Sequence, residues 1–168
     1  MIRYDFVNNS SSAITANGGG SADIIQAGAG NDTINGNGGN DTIDGGSGND
    51  TIVGGLGIDS ITGGSGSDTY KYTSIAEAAV SGDSDKETIF DFDATDNAED
   101  IQLFGLLNGT FAFKGSNAFT GSNNTEAKFD NISKLLTIDI DGDADADMEI
   151  KLDSVALSDL DANDFTVS

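Results

Sequence analysis

An all-β solenoid followed by a β-sandwich-like cap is the fold class this sequence predicts, and three observations carry that expectation. Between Gly18 and Lys71 six nonapeptides stand head to tail: GGGSADIIQ, AGAGNDTIN, GNGGNDTID, GGSGNDTIV, GGLGIDSIT and GGSGSDTYK. The sixth position is Asp in every copy (Asp23, Asp32, Asp41, Asp50, Asp59, Asp68), and the eighth is Ile25, Ile34, Ile43, Ile52, Ile61 or Tyr70. After Tyr72 glycine thins and phenylalanine arrives at positions 90, 92, 104, 111, 113, 119, 129 and 165.

A nine-residue unit with one apolar residue cannot bury a core alone. Stacked units can, because their eighth-position side chains then form a continuous column. The stretches Thr33-Ile34-Asn35, Thr42-Ile43-Asp44 and Thr51-Ile52-Val53 are β-branched or alternate in polarity, which predicts a short strand with Ile inward. The preceding six residues must then turn. Glycine at positions 1, 2 and 4 suits positive φ and close backbone approach. Two units make a coil of 18 residues, so the six units give about three coils, each rising roughly 4.8 Å.

Such stacking places Asp23, Asp41 and Asp59 in one row and Asp32, Asp50 and Asp68 in a second. Aligned carboxylates repel one another in a poorly solvated site. A hard cation with oxygen ligands removes the conflict. Calcium takes about six to eight oxygens and accepts backbone carbonyls, which a glycine turn supplies, whereas magnesium favours a small octahedron and keeps its water. Zinc is not expected, because the sequence lacks His and Cys. Without a cation the same Gly/Asn/Asp composition reads as a disordered linker.

Residues 18–71 resemble the parallel β-roll of RTX proteins, which implies a right-handed parallel β-roll (β-solenoid) of about three coils. The resemblance also implies a ligand set, with each ion lying between the turns of repeats n and n+2. The sixth-position Asp of both would bind it, giving the pairs Asp23/Asp41, Asp41/Asp59, Asp32/Asp50 and Asp50/Asp68 and about four Ca2+ ions. Carbonyls of positions 1 and 3 would come from one turn: Gly18, Gly20, Ala27, Ala29, Gly36, Gly38, Gly45, Ser47, Gly54 and Leu56. Carbonyls of positions 2 and 4 would come from the other: Gly19, Gly28, Gly30, Asn37, Gly39, Gly46, Gly48, Gly55, Gly57, Gly64 and Gly66. Ala27, Asn37 and Ser21 depart from glycine, and strain is expected at Ser21 and Asn37.

Composition bounds the function classes. The 168 residues carry 7 basic and 29 acidic side chains, a net charge of −22. Nucleic acid and anionic membrane are therefore not expected partners. A self-repelling chain that folds on cation binding is expected instead. The opening MIRYDFVNNSS has no signal-peptide apolar run, and no stretch nears 18 apolar residues. Absence of His, Cys and a GxSxG elbow argues against catalysis, although a longer natural protein is expected to carry a separate catalytic domain. A monomer is expected.

The chain divides into a lead-in (1–17), the roll (18–71) and a C-terminal β cap (72–168). Strands are expected over Thr88–Phe92, Asp100–Leu103, Thr110–Phe113, Leu135–Ile140 and Met148–Leu152, with helical turns over Ser74–Val80. The stretches GGSGSDTYKY, ETIFDFD, EDIQLFGL, LLTIDIDGDADADMEIKL and DFTVS, in that order, are similar to the C-terminal region of serralysin-type secreted proteases. That region is a type I secretion domain, and its resemblance implies a further calcium at the acidic pair Glu77 and Glu87. The run Asp139-x-Asp141-Gly142-Asp143-x-Asp145-x-Asp147 fails as an EF-hand, because Ala144 stands where Gly is needed and Ile150 where Glu is needed. It is read as a solvated hairpin turn.

The resemblance therefore implies a calcium-binding module of an extracellular, secreted protein. It would fold on calcium outside the cell and engage type I secretion machinery. The alternatives are a polysaccharide-binding regulatory module, as in alginate epimerases, or an adhesin tail. An ice-binding surface is disfavoured, since position 3 lacks a threonine ladder.

Overall fold

The computed structural model describes residues 6–7, 11–78, 86–96, 98–106, 109–121, 124–156 and 158–167. Eight strands build the repeat half: β1 (Phe6–Val7), β2 (Thr15–Asn17), β3 (Ile24–Ala29), β4 (Thr33–Asn35), β5 (Thr42–Ser47), β6 (Thr51–Val53), β7 (Ser60–Ser65) and β8 (Thr69–Tyr72). Seven follow: β9 (Glu87–Ile89), β10 (Asp100–Leu103), β11 (Ala112–Phe113), β12 (Glu126–Asp130), β13 (Leu135–Asp139), β14 (Met148–Leu152) and β15 (Phe165–Val167). They form a nine-stranded sheet ordered β1-β3-β5-β7-β9-β14-β13-β12-β11 and a six-stranded sheet ordered β15-β10-β8-β6-β4-β2. The chain alternates between the sheets, and like-sided strands pair in parallel, so the repeats are a parallel β-roll.

Register within the roll is 18 residues per coil: Ile25 pairs with Ile43 and Ile43 with Ile61, while Ile34 pairs with Ile52 and Ile52 with Tyr70. The eighth-position side chains thus make two facing stacks, one per sheet, and all are nearly inaccessible. A one-residue slip would turn each Ile outward and its polar neighbours inward, so the column fixes the register.

Glycines serve two different ends. At positions 2 and 4 they take positive φ, as at Gly46 (102°) and Gly57 (136°). A Cβ on either would also collide with the carbonyl oxygen of the equivalent residue one coil below, Gly28 or Gly39. At position 1, Gly36, Gly45 and Gly54 need no positive φ; a Cβ there would strike the repeat's own aspartate Oδ2. Asn37 takes the left-handed conformation (φ 70°) that Asn tolerates, and its Nδ2 donates to Gly18 O at 3.0 Å. Neither Gly19 nor Ser21 has positive φ, so the first repeat turns differently from the rest.

The strands do not separate at residue 72. Ile61 pairs with Ile89 and Tyr70 with Ile101, so β9 and β10 are laid on the roll as a further coil. Leu152 of β14 pairs in parallel with Ile89, and Phe165 of β15 with Ile101. The sandwich-like cap is therefore made by the roll's own two sheets running on, because the exposed edges of β7 and β8 offer unpaired backbone groups and an open apolar column. The lead-in behaves likewise: β2 pairs in parallel with β4, and β1 with β3.

Expected strands at Asp100–Leu103 and Met148–Leu152 have those bounds, whereas the others are shorter or shifted, at Glu87–Ile89, Ala112–Phe113 and Leu135–Asp139. The helical stretch is a 3-10 turn, Ile75–Glu77, and residues 79–80 lie outside the described residues. Strands Glu126–Asp130 and Phe165–Val167 were hidden by their mixed polarity.

Candidate metal centres along the aspartate rows

All six sixth-position aspartates are buried, at 0–3% exposure. Each immediately precedes a strand whose eighth-position side chain (Ile, or Tyr70 after Asp68) points inward, so its own side chain is held in the turn at the sheet edge. One carboxylate oxygen has a fixed partner one coil below. The backbone N–H of Asp23 donates to Asp41 Oδ1 at 2.7 Å, Asp32 to Asp50 at 2.7 Å, Asp41 to Asp59 at 2.8 Å, and Asp50 to Asp68 at 2.8 Å. Ile14, in the lead-in coil, donates to Asp32 Oδ1 in the same way.

The other oxygen is different. Asp32, Asp41, Asp50 and Asp59 Oδ2, and Asp23 Oδ1, are buried with no hydrogen-bond partner. A buried acceptor left without a donor costs about 1–3 kcal/mol, and more when charged. Around it lie turn carbonyls. Gly54 O approaches Gly36 beside Asp41 Oδ2 and Gly63 O approaches Gly45 beside Asp50 Oδ2, whereas at the end of the row the Asp23 Oδ2 beside Gly36 O accepts Gly19 N at 2.6 Å. Position 2 and 3 carbonyls already accept one inter-coil bond each, as Asn37 O does from Leu56 N (2.8 Å) and Ser47 O from Gly30 N (2.8 Å). A carbonyl has a second lone pair to offer. Carboxylate and carbonyl oxygens facing one gap, with no donor among them, fit a hard divalent cation such as calcium.

Electrostatics agree with the geometry. Burial pushes the Asp50 and Asp59 carboxyls up to about 6, opposed by the backbone N–H bond and reinforced by the neighbouring aspartates of the row. Asp41 is raised for the same reasons, and Asp68 is raised by burial, against its backbone N–H bond, with Asp91 and Asp96 adding to the rise. No basic residue occurs between residues 18 and 70 to neutralise them. A position-5 ladder stiffens the turns, with Asn31 Oδ1 accepting Asn49 N at 2.9 Å and Asn49 Oδ1 accepting Ser67 N at 3.1 Å.

The structure brings Glu87 and Glu77 to Asp59. Thr88 N donates to Asp59 O at 2.9 Å, as Thr42 N does to Asp23 O at 2.9 Å, so Glu87 stands where the next sixth-position acid would be. Its Oε1 accepts Tyr72 Oη at 2.6 Å, while its Oε2 is buried and unpartnered. Burial, with Asp59 and Glu77 nearby, pushes the Glu87 carboxyl well up despite the Tyr72 bond. Glu77 closes on Thr73, accepting from its N–H at 2.9 Å and its hydroxyl at 2.7 Å.

Glu99 was missed by sequence reasoning. It precedes Asp100-Ile101 as Asp68 precedes Thr69-Tyr70, and the acid-x-apolar spacing was its only signal. Burial pushes its carboxyl up to about 8, with Asp68, Asp91 and Asp93 adding to the rise. The Asp139 loop is a hairpin between β13 and β14. Asp139, Asp141 and Asp147 converge there, but Asp139 accepts Gly142 N (2.7 Å) and Ala144 N (2.9 Å) through its two oxygens.

The family model for the RTX calcium-binding nonapeptide repeat (4 copies) matches residues 17–52 and 44–71. Among solved structures, the fold is similar to the AlgE6R2 subunit from the Azotobacter vinelandii mannuronan C5-epimerase. The two share 20% identity over 94% of this chain and 93% of that chain, with a TM-score of 0.58. The AlgE6R3 subunit of the same epimerase shares 22% identity over 94% of this chain and 80% of that chain, at a TM-score of 0.46. No curated protein matches the chain. Residues 17–71 thus match the RTX calcium-binding nonapeptide repeat and fold as a parallel β-roll.

Proposed function

We propose that this chain is a calcium-triggered folding module of a secreted protein, held together by ions along both aspartate rows. The observation that carries this reading is the repeated unpartnered oxygen: each inner aspartate is anchored through Oδ1 and presents a buried Oδ2 to the turn carbonyls. Asp23/Asp41, Asp41/Asp59, Asp32/Asp50 and Asp50/Asp68 would hold about four ions with carbonyls of the flanking turns. Asp59 and Glu87 would hold another, with Glu77 adding charge beside them. Bound calcium supplies positive charge between carboxylates, and ion-binding free energy becomes folding free energy. Extracellular calcium is plentiful and cytosolic calcium scarce, so passage out of the cell would itself start folding.

The likeness of residues 63–168 to serralysin-type C-terminal regions supports a type I secretion role. Catalysis would then reside in a separate domain. Circular dichroism of the full chain, titrated with calcium and then chelator, tests the folding switch. A gain of β signal near millimolar calcium that chelator reverses is expected, and a fully ordered chain in chelator refutes it.

A further inference from the structure

We propose that Asp68, Asp91 and Glu99 hold a further divalent cation of the calcium class at the seam where the roll meets the C-terminal half. This site lies beyond the last repeat and rests on the reading that the aspartate rows bind calcium. Three observations lead to it.

The first is register. Thr69 pairs with Asp100 and Tyr70 with Ile101, and Asp100 N donates to Asp68 O at 2.9 Å. The same bond joins Thr51 N to Asp32 O and Thr69 N to Asp50 O, each at 2.8 Å. Glu99 therefore occupies the sixth position of the coil that follows Asp68, and Asp32–Asp50–Asp68 continues as one row into Glu99.

The second is an orphaned atom. The Glu99 side chain is 4% exposed, and its Oε1 is buried with no hydrogen-bond partner among the described residues. A carboxylate held this way needs either a proton or a cation.

The third is what stands opposite. Within the roll, the first-position carbonyl of the next coil faces each site. Above Gly63 the coil is different, and the Asp91 carboxylate takes the edge instead, accepting Gly63 N at 2.9 Å and Gly64 N at 2.8 Å. Tyr70 Oη donates to Asp91 Oδ1 at 3.3 Å, and both it and Asp68 Oδ2 fill the space that a Cβ on Gly63 would need. Asp68 Oδ2, Tyr70 Oη and the Asp91 carboxylate thus meet at Gly63, Asp68 and Asp91 lie near enough to Glu99 to raise its carboxyl by charge, and among the described residues no ion pair reaches them. Oxygen donors of this kind in this number suit calcium. A cation there ties β10 to β8 by charge, so docking of the C-terminal half becomes calcium-dependent along with the roll.

Terbium replaces calcium at oxygen sites and emits when a neighbouring tyrosine is excited. The chain has three tyrosines and no tryptophan. Terbium is titrated into the full chain carrying Tyr72→Phe, which silences the ring beside Glu87, and bound calcium is counted by equilibrium dialysis. In this background Glu99→Gln should remove one bound calcium and the part of the tyrosine-excited emission that does not come from the Asp50/Asp68 ion, which Tyr70 also borders, while Asp23→Asn leaves the emission intact. Unchanged emission and calcium count in Glu99→Gln would overturn the seam site. A parent chain that binds no calcium at all would instead overturn the reading of the rows. Should Glu99→Gln fail to gain β signal in calcium, Glu99→Asp is measured instead. It should weaken one site about tenfold, and unchanged affinity at every site counts against the proposal.

Discussion

The roll and the C-terminal half each bury carboxylates, and they neutralise them by different means. In the roll, the aspartates have one oxygen on a backbone N–H and the other unpartnered, with no Lys or Arg between residues 18 and 70. In the C-terminal half, Glu126 accepts from Thr120 N at 2.7 Å and from the Thr120 hydroxyl, with Lys114 Nζ at 3.6 Å. Asp139 is satisfied by two loop N–H groups, and Asp161 N donates to Asp164 Oδ2 at 2.6 Å in a capping box, leaving Asp164 Oδ1 unpartnered. Glu87 and Glu99 follow the roll's pattern although they lie beyond its last repeat. The roll's pattern of unpartnered oxygens therefore runs past the last nonapeptide to Glu87, Glu99 and Asp100, and among the described residues beyond them it recurs only at Asp164.

Chelation should break the molecule along that line. Hydrogen exchange in excess EDTA is expected to lose protection across β3–β10 by on the order of a hundredfold or more, while the antiparallel pairs β12–β13–β14 lose less. Uniform loss over both halves would mean the C-terminal half has no neutralisation of its own. Next in size come the aspartates. Asp41→Asn and Asp50→Asn each remove a ligand from two ions, and the midpoint of calcium-induced folding should rise at least about tenfold with reduced cooperativity. Asp23→Asn, at the end of a row, should raise it only about twofold to threefold. Asp68→Asn sharpens the comparison, because a seam ion makes it behave as an inner residue.

Glycine substitutions compare the same two regions through backbone sterics. Gly46→Ala combines a φ of 102° with collision against Gly28 O, and should cost more than about 3 kcal/mol in calcium. Gly105 has a φ of 70° but open space around it, so Gly105→Ala should cost only about 1 kcal/mol. Thermal melts in saturating calcium order the two.

Acidity gives a smaller effect with a definite sign. Asp50 and Asp59 are raised to about 6 and Glu99 to about 8 from ordinary values of 3.8 and 4.5. The folded state therefore binds protons more readily than the unfolded state. This contribution is complete below the ordinary values and is lost as pH rises through 6 and then 8. Calcium-free chain should gain β signal when pH falls from about 9 to about 5, while its calcium midpoint moves to higher concentration as protons compete. A calcium-free spectrum that is flat with pH would contradict buried acids in that state.

Rows and columns were legible in the sequence because one count, 18 residues, sets both. Past Tyr70 the count fails: 28 residues separate Ile61 from Ile89, and 31 separate Tyr70 from Ile101. The polypeptide returns to the same column because the open end of the Ile stack and the unpaired strand edges are the best place for an apolar strand to dock. Insertions are tolerated in the turns, so period-based reading cannot see the two added strands. Glu87-Thr88-Ile89 repeats the Asp-Thr-Ile sequence of the roll with one more methylene, and that local spelling survives where the period does not. Glu77 and Glu87 came from family likeness, and their meeting at Asp59 depends on the 3-10 turn Ile75–Glu77 folding back on Thr73. No spacing rule encodes that.

The smallest expected effect isolates the C-terminal half's own means of neutralisation. Lys114 is about a quarter exposed and sits 3.6 Å from Glu126, which is itself held by Thr120. Partly screened pairs of this kind contribute less than about 1 kcal/mol. Lys114→Met should therefore lower the melting temperature by only a few degrees and leave the calcium midpoint unchanged, because no ion site borders Glu126. Thr120→Val removes the Thr120 hydroxyl donor as well and should cost more than Lys114→Met. If either variant shifts the calcium midpoint, then Glu126 is coupled to the rows through β12–β14 and β9, and the two halves share one electrostatic system.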